Sequence, residues 1–104
     1  MEHVTGHLEM TEHGHGPELR MIGEFDLANA ETLRLCLAEL VLQGKRSAVI
    51  DMARADFIDS STIGALVAAH QSGLAITVRA PSAQVRRALE VAGIGNALNI
   101  ETDH

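Results

Sequence analysis

Aromatic residues are scarce in this sequence. Its 104 residues include two phenylalanines but no tryptophan or tyrosine, although 46% of the residues are hydrophobic. The core must therefore be built from aliphatic side chains, and the chain offers no aromatic platform on which bases or sugars could stack. A single-stranded nucleic-acid binder is not expected.

Positive charge is scarce as well. Eight Lys and Arg residues stand against fourteen Asp and Glu residues, so the formal net charge is −6. A nucleic-acid backbone or an anionic membrane surface would repel such a chain. No apolar run is long enough to cross a bilayer. We therefore expect no direct binding of nucleic acid and no membrane insertion.

Cysteine and targeting signals are limited too. Cys36 is the single cysteine and cannot form an internal disulfide. The residues from Met1 to Val4 lack the charged start and long apolar region of a signal peptide, so the cytoplasm is the expected compartment. No repeat, linker or low-complexity tract interrupts residues 1–104, which predicts one domain.

Hydrophobic periodicity predicts the strands. Residues 3–10 and 18–26 alternate in polarity, and the glycines and proline within 12–17 indicate a turn, so these segments predict a hairpin. The short apolar runs at 48–52 and 75–78 are typical of buried strands. Residues 97–100 fit either a short strand or irregular structure.

Three segments show helical spacing, at residues 29–43, 61–71 and 82–91. Asn29 is the expected N-cap of the first helix, and a glycine follows each helix at position 44, 73 or 93. Strands that alternate with helices predict an α/β domain with parallel pairing in its second half. The first helix also carries Leu35, Ala38 and Leu42 on its outer side, and their role as a partner contact stays open.

The six histidines do not suggest a metal site. His13 and His15 lie in the predicted turn, close in sequence to His3 and His7 on the solvent side of the first strand. Metal-ligand sets normally lie on rigid elements with partners that orient the imidazole rings. We expect these histidines to be exposed and to hold no metal.

Catalytic motifs are missing around the hydroxyl residues Ser60 and Ser61. The flanking glycines of a nucleophile elbow are absent, and only His70 and His104 follow as histidines. His70 lies several turns along the same predicted helix, too far to take a proton from its start. No glycine-rich loop with a Lys-Ser or Lys-Thr pair is present either. The chain is therefore not expected to be an enzyme or to need a cofactor.

Two interpretations of residues 59–62, Asp-Ser-Ser-Thr, remain open at this point. Short oxygen-bearing side chains at a strand-to-helix junction satisfy the free N–H groups of the helix, so the segment fits a redundant helix cap. Alternatively, one hydroxyl group stands exposed at the junction and accepts a phosphate, which a helix N-terminus favours.

Three segments of the sequence resemble the STAS domain family, and specifically the free-standing bacterial anti-sigma factor antagonists. They are Gly-Glu-Phe-Asp-Leu at 23–27, Val-Ile-Asp-Met at 49–52 with Asp-Phe-Ile-Asp-Ser-Ser at 56–61, and the pattern from 85 to 94. The resemblance runs in order over about residues 4–100. It implies an α/β fold with a mixed β-sheet of four to five strands and helices packed mainly on one side.

The resemblance also implies a function called partner switching. In similar proteins, the unphosphorylated antagonist binds an anti-sigma factor serine kinase and thereby frees a sigma factor. The kinase uses ATP to phosphorylate the antagonist, and a separate serine phosphatase reverses the modification. Whether the chain forms a homodimer stays open.

Matched by position, the resemblance makes Ser60 the phosphoacceptor. Asp59 is the motif aspartate, Ser61 is the second hydroxyl position, and Asp26 matches an acidic residue that helps to contact the kinase. Thr62 occupies a position where similar proteins usually carry glycine, so its branched side chain narrows the space above the acceptor and adds a competing hydroxyl. The resemblance implies that Asp26, Asp59, Ser61 and Thr62 contact the partner.

A second function is implied by other small STAS proteins. These serve as accessory subunits that dock on the ATPase of a membrane lipid-transport complex. The outer stripe of Leu35, Ala38 and Leu42 would suit such a permanent interface.

Overall fold

The computed structural model describes residues 6–14, 16–93 and 98–101. Within these residues the chain forms a five-stranded sheet of order β1-β2-β3-β4-β5 and three helices. The elements are β1 (His7–His13), β2 (Gly16–Phe25), α1 (Leu27–Leu42), β3 (Ser47–Ile58), α2 (Ser60–Gln71), β4 (Ala75–Arg79), α3 (Ala83–Val91) and β5 (Asn99–Glu101).

Strands β1 and β2 form the predicted hairpin. They pair antiparallel from His7 opposite Ile22 to His13 opposite Gly16. The turn is shorter than the predicted 12–17, because Glu12 still pairs with Pro17 and His13 with Gly16. Gly16 has a φ of 120°, a left-handed value that an L side chain rarely adopts. Residues 3–5 of the predicted first strand lie outside the described residues.

The other three strands follow β2 in order, and every pair is parallel. From β2 onward a helix connects each strand to the next, and the strand order runs in one direction along the sheet. Since crossovers between parallel strands are right-handed as a rule, this order places all three helices on the same face. The predicted α/β class, with a mixed sheet and helices mainly on one side, is confirmed. β5 resolves the open assignment at 97–100 as a short strand, with residue 97 outside the described part.

The two faces of the sheet differ in chemistry. Leu19, Met21, Ile50 and Met52 alternate along β2 and β3 and are almost fully buried in the core under the helices. The opposite face carries ion pairs. Arg20 on β2 lies 3.5 Å from Glu9 on β1 and 3.9 Å from Asp51 on β3. Arg79 on β4 lies 3.1 Å from Glu18 on β2. Leu33, Leu37, Leu66 and Leu89 supply the helical side of the core.

Strand β3 extends well beyond the predicted 48–52. The register between β2 and β3 shifts twice, and pairing still continues to Phe25 opposite Ile58. Such shifts break the alternation of buried and exposed residues that identifies a strand in sequence. The prediction was therefore too short at the C-terminal end, where β3 leads into the Asp-Ser-Ser-Thr segment.

The predicted N-cap of α1 was wrong, because the helix begins at Leu27 and Asp26 is its N-cap. Asn29 is the third helical residue and completes a capping box with Asp26. Leu27 and Ala28 are exposed, so they add nothing to the apolar periodicity from which the start was predicted. The predicted Gly44 follows the helix with a φ of 80°.

The outer stripe of α1 reaches the surface. Leu35 is 54% exposed and Leu42 is 82% exposed, while Ala38 is half-buried. Among the described residues, no helix combines the length and the apolar character needed to cross a membrane.

Candidate functional site

Two acid-capped helices begin side by side at one edge of the sheet. The last residues of β2 and β3, Phe25 and Ile58, are parallel neighbours in the ladder. Asp26 and Asp59 follow directly, and each is the N-cap of the next helix. Ligand and partner sites in parallel sheets are commonly found at this carboxyl edge. The fold therefore brings together the residues that the sequence had separated by more than thirty positions.

The start of α1 is held by its own connection. The Asp26 carboxylate accepts a hydrogen bond from the Ala28 amide at 3.0 Å, and the Asn29 side-chain oxygen accepts one from the Asp26 amide at 2.8 Å. The Asn29 side-chain amide donates to the Glu24 carbonyl oxygen at 2.9 Å. The first turn of α1 is therefore tied to residues within the same strand-to-helix connection.

The start of α2 is tied to a neighbouring strand instead. Asp59 Oδ1 accepts the Thr62 amide at 3.0 Å, and the Asp59 amide donates to the Phe25 carbonyl oxygen at 3.1 Å. Thr62 Oγ1 lies 3.2 Å from that same carbonyl oxygen and 3.1 Å from Asp59 Oδ1. The first turn of α2 is thus anchored to the end of β2.

The four residues of the Asp-Ser-Ser-Thr segment differ in access to solvent. Ser60 is exposed, Asp59 and Ser61 are half-buried, and Thr62 has no exposed surface. A molecule that docks here can touch the first three without reaching the Thr62 side chain. Asp26, which is half-buried, lies at the same edge.

A groove of about 290 Å³ runs between α1 and α2 beside this segment. Its apolar wall on α1 includes Leu27, which is 75% exposed, and its floor on α2 is built from small residues. The full lining is Leu27, Ala30, Glu31, Arg34, Ser61, Gly64, Ala65 and Ala68. We did not predict this groove from the sequence, although the spacing of Ser61, Gly64 and Ala68 along one helix face is a usable signal for it.

An exposed ion pair lies at the rim of the groove. Arg34 Nε donates to Glu31 Oε1 at 2.9 Å. This hydrogen bond, together with the charge of Arg34, holds the pKa of the Glu31 carboxyl below its usual value. Both side chains are more than half exposed, so solvent screens the pair and it adds little to stability.

The starts of the two helices at this edge favour negatively charged groups. Backbone N–H groups in the first turn of a helix and the helix dipole both favour a negative group. Across residues 6–14, 16–93 and 98–101, no three His, Cys, Asp or Glu side chains come together as a metal-binding set. The first turns of α1 and α2 therefore favour a negatively charged group at this edge.

Comparisons with known proteins agree with this architecture. An anti-sigma factor antagonist from Mycobacterium paratuberculosis has a TM-score of 0.80 and 19% identity, with 95% of this chain and 87% of that chain covered. The antagonist SpoIIAA in its unphosphorylated form has a TM-score of 0.75 and 23% identity, with 95% and 90% covered. The phosphorylated form of SpoIIAA from Bacillus has a TM-score of 0.69 and 23% identity, with 95% and 93% covered.

These likenesses show the fold, because each identity lies below 25%. No curated protein matches the sequence. A family model described as Mlab, STAS domain matches residues 8–100. Since that match spans nearly the whole chain and the element order agrees with it, the chain belongs to the STAS domain family.

Proposed function

We propose that this chain is an anti-sigma factor antagonist that binds a kinase-type anti-sigma factor when unphosphorylated and is switched off by phosphorylation at Ser60. The observation that carries the proposal is the exposed Ser60 hydroxyl in the first turn of α2, beside a groove with an apolar wall. The similarity to solved antagonists supports the same role.

Capping does not account for the Ser60 hydroxyl. The Asp59 carboxylate already accepts the Thr62 amide, and the Thr62 hydroxyl lies within hydrogen-bond distance of the Phe25 carbonyl oxygen. Helix α1 is capped in the same way by Asp26, yet its first two residues are Leu27 and Ala28. A hydroxyl at the first helical position is therefore not needed for folding, which favours the acceptor interpretation over the redundant cap.

The anti-sigma factor would dock on the surface formed by the starts of α1 and α2. Leu27 supplies exposed apolar area, and the small residues of the groove floor allow close approach of a partner side chain. Asp26, Asp59 and Ser61 add polar groups around Ser60 at the same edge. Interfaces of this kind place an apolar centre within a polar rim.

Phosphorylation would act on the complex and not on the fold. The γ-phosphoryl group passes from ATP to Ser60 Oγ, the hydroxyl proton goes to a base of the kinase, and ADP leaves. The phosphate brings about −1.5 to −2 charges, which the first turn of α2 tolerates. Within a docked interface the same charge lies buried without a partner, and binding is lost. A serine phosphatase would restore the binding form.

The test is incubation with the cognate anti-sigma factor kinase and ATP, followed by intact mass. One added phosphate is expected, and Ser60→Ala abolishes it while Ser61→Ala retains it. Tight binding without any added mass would end the phosphorylation switch and leave only the binding role. A phosphate that persists in Ser60→Ala would move the acceptor elsewhere.

One observation favours a second candidate function, an accessory subunit on the ATPase of a membrane lipid-transport complex. Leu35 and Leu42 are largely exposed on α1, as a permanent interface requires. Co-purification from the native host separates the two proposals. A membrane-associated ATPase as the stable partner supports the accessory subunit, and a soluble ATP-dependent kinase supports the antagonist.

A further inference from the structure

Thr62 is an unusual residue within the proposed acceptor segment. It is the third residue of α2 and has no exposed surface, whereas Ser60, two positions before it, is exposed. A buried hydroxyl needs a hydrogen-bond partner, since leaving it unpaired is costly. The partners of Thr62 therefore indicate what its side chain does.

The Thr62 hydroxyl lies between two acceptors that belong to different parts of the chain. Its Oγ1 is 3.2 Å from the Phe25 carbonyl oxygen at the end of β2 and 3.1 Å from Asp59 Oδ1 at the start of α2. The hydroxyl has one proton and donates it to one acceptor at a time. When it donates to the Phe25 carbonyl oxygen, it ties the first turn of α2 directly to the residue that precedes Asp26. When it donates to Asp59, it fixes the carboxylate of a residue whose own amide donates to that same carbonyl oxygen.

The same geometry constrains Asp59. Its carboxylate receives the Thr62 amide at 3.0 Å, and its own amide donates to the Phe25 carbonyl oxygen at 3.1 Å. Ser60 directly follows Asp59 in the chain, so the position of its hydroxyl depends on these bonds. Asp26 directly follows Phe25, so the spacing between the two acid caps depends on them too.

We propose that Thr62 is the positioning residue of the acceptor segment: its buried hydroxyl fixes Ser60 and Asp59 relative to Asp26. The functional consequence rests on the proposed phosphorylation of Ser60. Thr62 itself is not an acceptor, because a kinase cannot reach its Oγ1 unless the first turn of α2 opens. The segment thus presents Ser60 in one orientation and withholds the neighbouring threonine hydroxyl.

Thr62→Val is the decisive variant, since it keeps the branched shape and removes only the hydroxyl. The Asp59 side chain still caps the helix through the Thr62 amide, so the fold is expected to persist. Thr62→Ser keeps the hydroxyl and serves as the rescue variant. Thr32→Val makes the same chemical change at an exposed position of α1 and serves as the control.

The first measurement needs no partner. In ¹H–¹⁵N spectra of the full chain, Thr62→Val is expected to shift the amide signals of Asp26, Asp59 and Ser60, and Thr62→Ser is expected to return them toward the native positions. Thr32→Val leaves them unchanged. If the Asp26 and Ser60 signals of Thr62→Val match those of the native chain, the positioning role is overturned, whatever any kinase does.

The second measurement is the rate of phosphorylation by the cognate kinase, compared under conditions in which every variant is fully folded by circular dichroism. We expect kcat/KM for Ser60 to fall about tenfold in Thr62→Val, the size expected for one lost hydrogen bond, and to recover in Thr62→Ser. Native rates in Thr62→Val would overturn the inference while the switch at Ser60 stands. Phosphothreonine at position 62 of the native chain would overturn it as well. No phosphate on the native chain would instead remove the proposed function.

Discussion

The starts of α1 and α2 follow the same plan but are fastened differently. Each helix follows one of two paired strands and is capped by an aspartate. In α1 the third residue, Asn29, bonds within its own connection, to Asp26 and Glu24. In α2 the third residue, Thr62, bonds across to Phe25 on the neighbouring strand.

Comparing the two helix starts shows which polar groups capping requires and which it does not. In both helices an aspartate accepts an N–H group of the first turn, and the third residue is polar. Only α2 adds hydroxyls at its first two positions, and the first of them is exposed. The comparison therefore identifies Ser60 as the residue that capping leaves unexplained.

The largest expected effect comes from a negative charge at the start of α2. Ser60→Asp is expected to weaken the complex with the anti-sigma factor by more than a hundredfold, because an unpaired buried charge costs about 3–5 kcal/mol by analogy with broken buried ion pairs. Calorimetric titration measures this change.

Ala28→Asp is the matched variant, since Ala28 is exposed in the first turn of α1. It is expected to weaken the complex less than Ser60→Asp, because the proposed docking surface spans both helix starts but its switch position lies on α2. An equal loss in both variants would show that the interface does not distinguish the two helix starts. Equal affinity of Ser60→Asp and the native chain would contradict the charge argument.

Gly6→Ala should disturb the connection from β2 to α1. A Cβ atom at position 6 would lie 2.6 Å from the Asn29 side-chain nitrogen, 2.6 Å from the Glu24 carbonyl oxygen and 2.8 Å from the buried Phe25 ring. We expect the free energy of unfolding in urea to fall by about 1–3 kcal/mol, as for other overpacked sites. Gly14→Ala, where nothing lies within 4 Å, is the control. An unchanged free energy of unfolding in Gly6→Ala would show that the connection accommodates the added methyl group without cost.

Removing each cap in turn tests whether the two starts are equally important for stability. Asp26→Ala and Asp59→Ala should each lower the free energy of unfolding by about 0.5–2 kcal/mol. The loss should be larger for Asp59, since its bond to the Thr62 amide is partly buried while that of Asp26 to Ala28 is exposed. Denaturant titration decides this, and the reverse order would mean that the tie to β2 compensates for the lost carboxylate.

Gly64→Ala is expected to give the smallest change in stability, and in the favourable direction. Gly64 lies in α2 with nothing within 4 Å of an added Cβ atom, so alanine should stabilise the domain by about 0.4–1 kcal/mol. The added methyl group narrows the groove between α1 and α2, so binding of the anti-sigma factor should weaken at the same time. Higher stability with unchanged affinity would exclude the groove from the interface.

Local patterns were sufficient to predict the hairpin, the three helices and the glycines that follow them. The predicted start of α1 was wrong because Leu27 and Ala28 are exposed and do not contribute to the apolar periodicity, which begins only at Asn29. The length of β3 was missed because register shifts against β2 disrupt its alternation. Both errors lie next to the candidate site, where the chain departs from regular structure.

The sequence by itself determined the order and type of the elements and placed Asp59 and Ser60 at a strand-to-helix junction, because capping and periodicity act between residues close together in the chain. Tertiary structure alone decided that Phe25 and Ile58 pair, that α1 and α2 enclose a groove, and that Thr62 is buried. One of the two acceptors of the Thr62 hydroxyl, the Phe25 carbonyl oxygen, lies 37 residues away in sequence. Whether a hydroxyl is exposed or buried depends on such distant neighbours, and no local pattern records them.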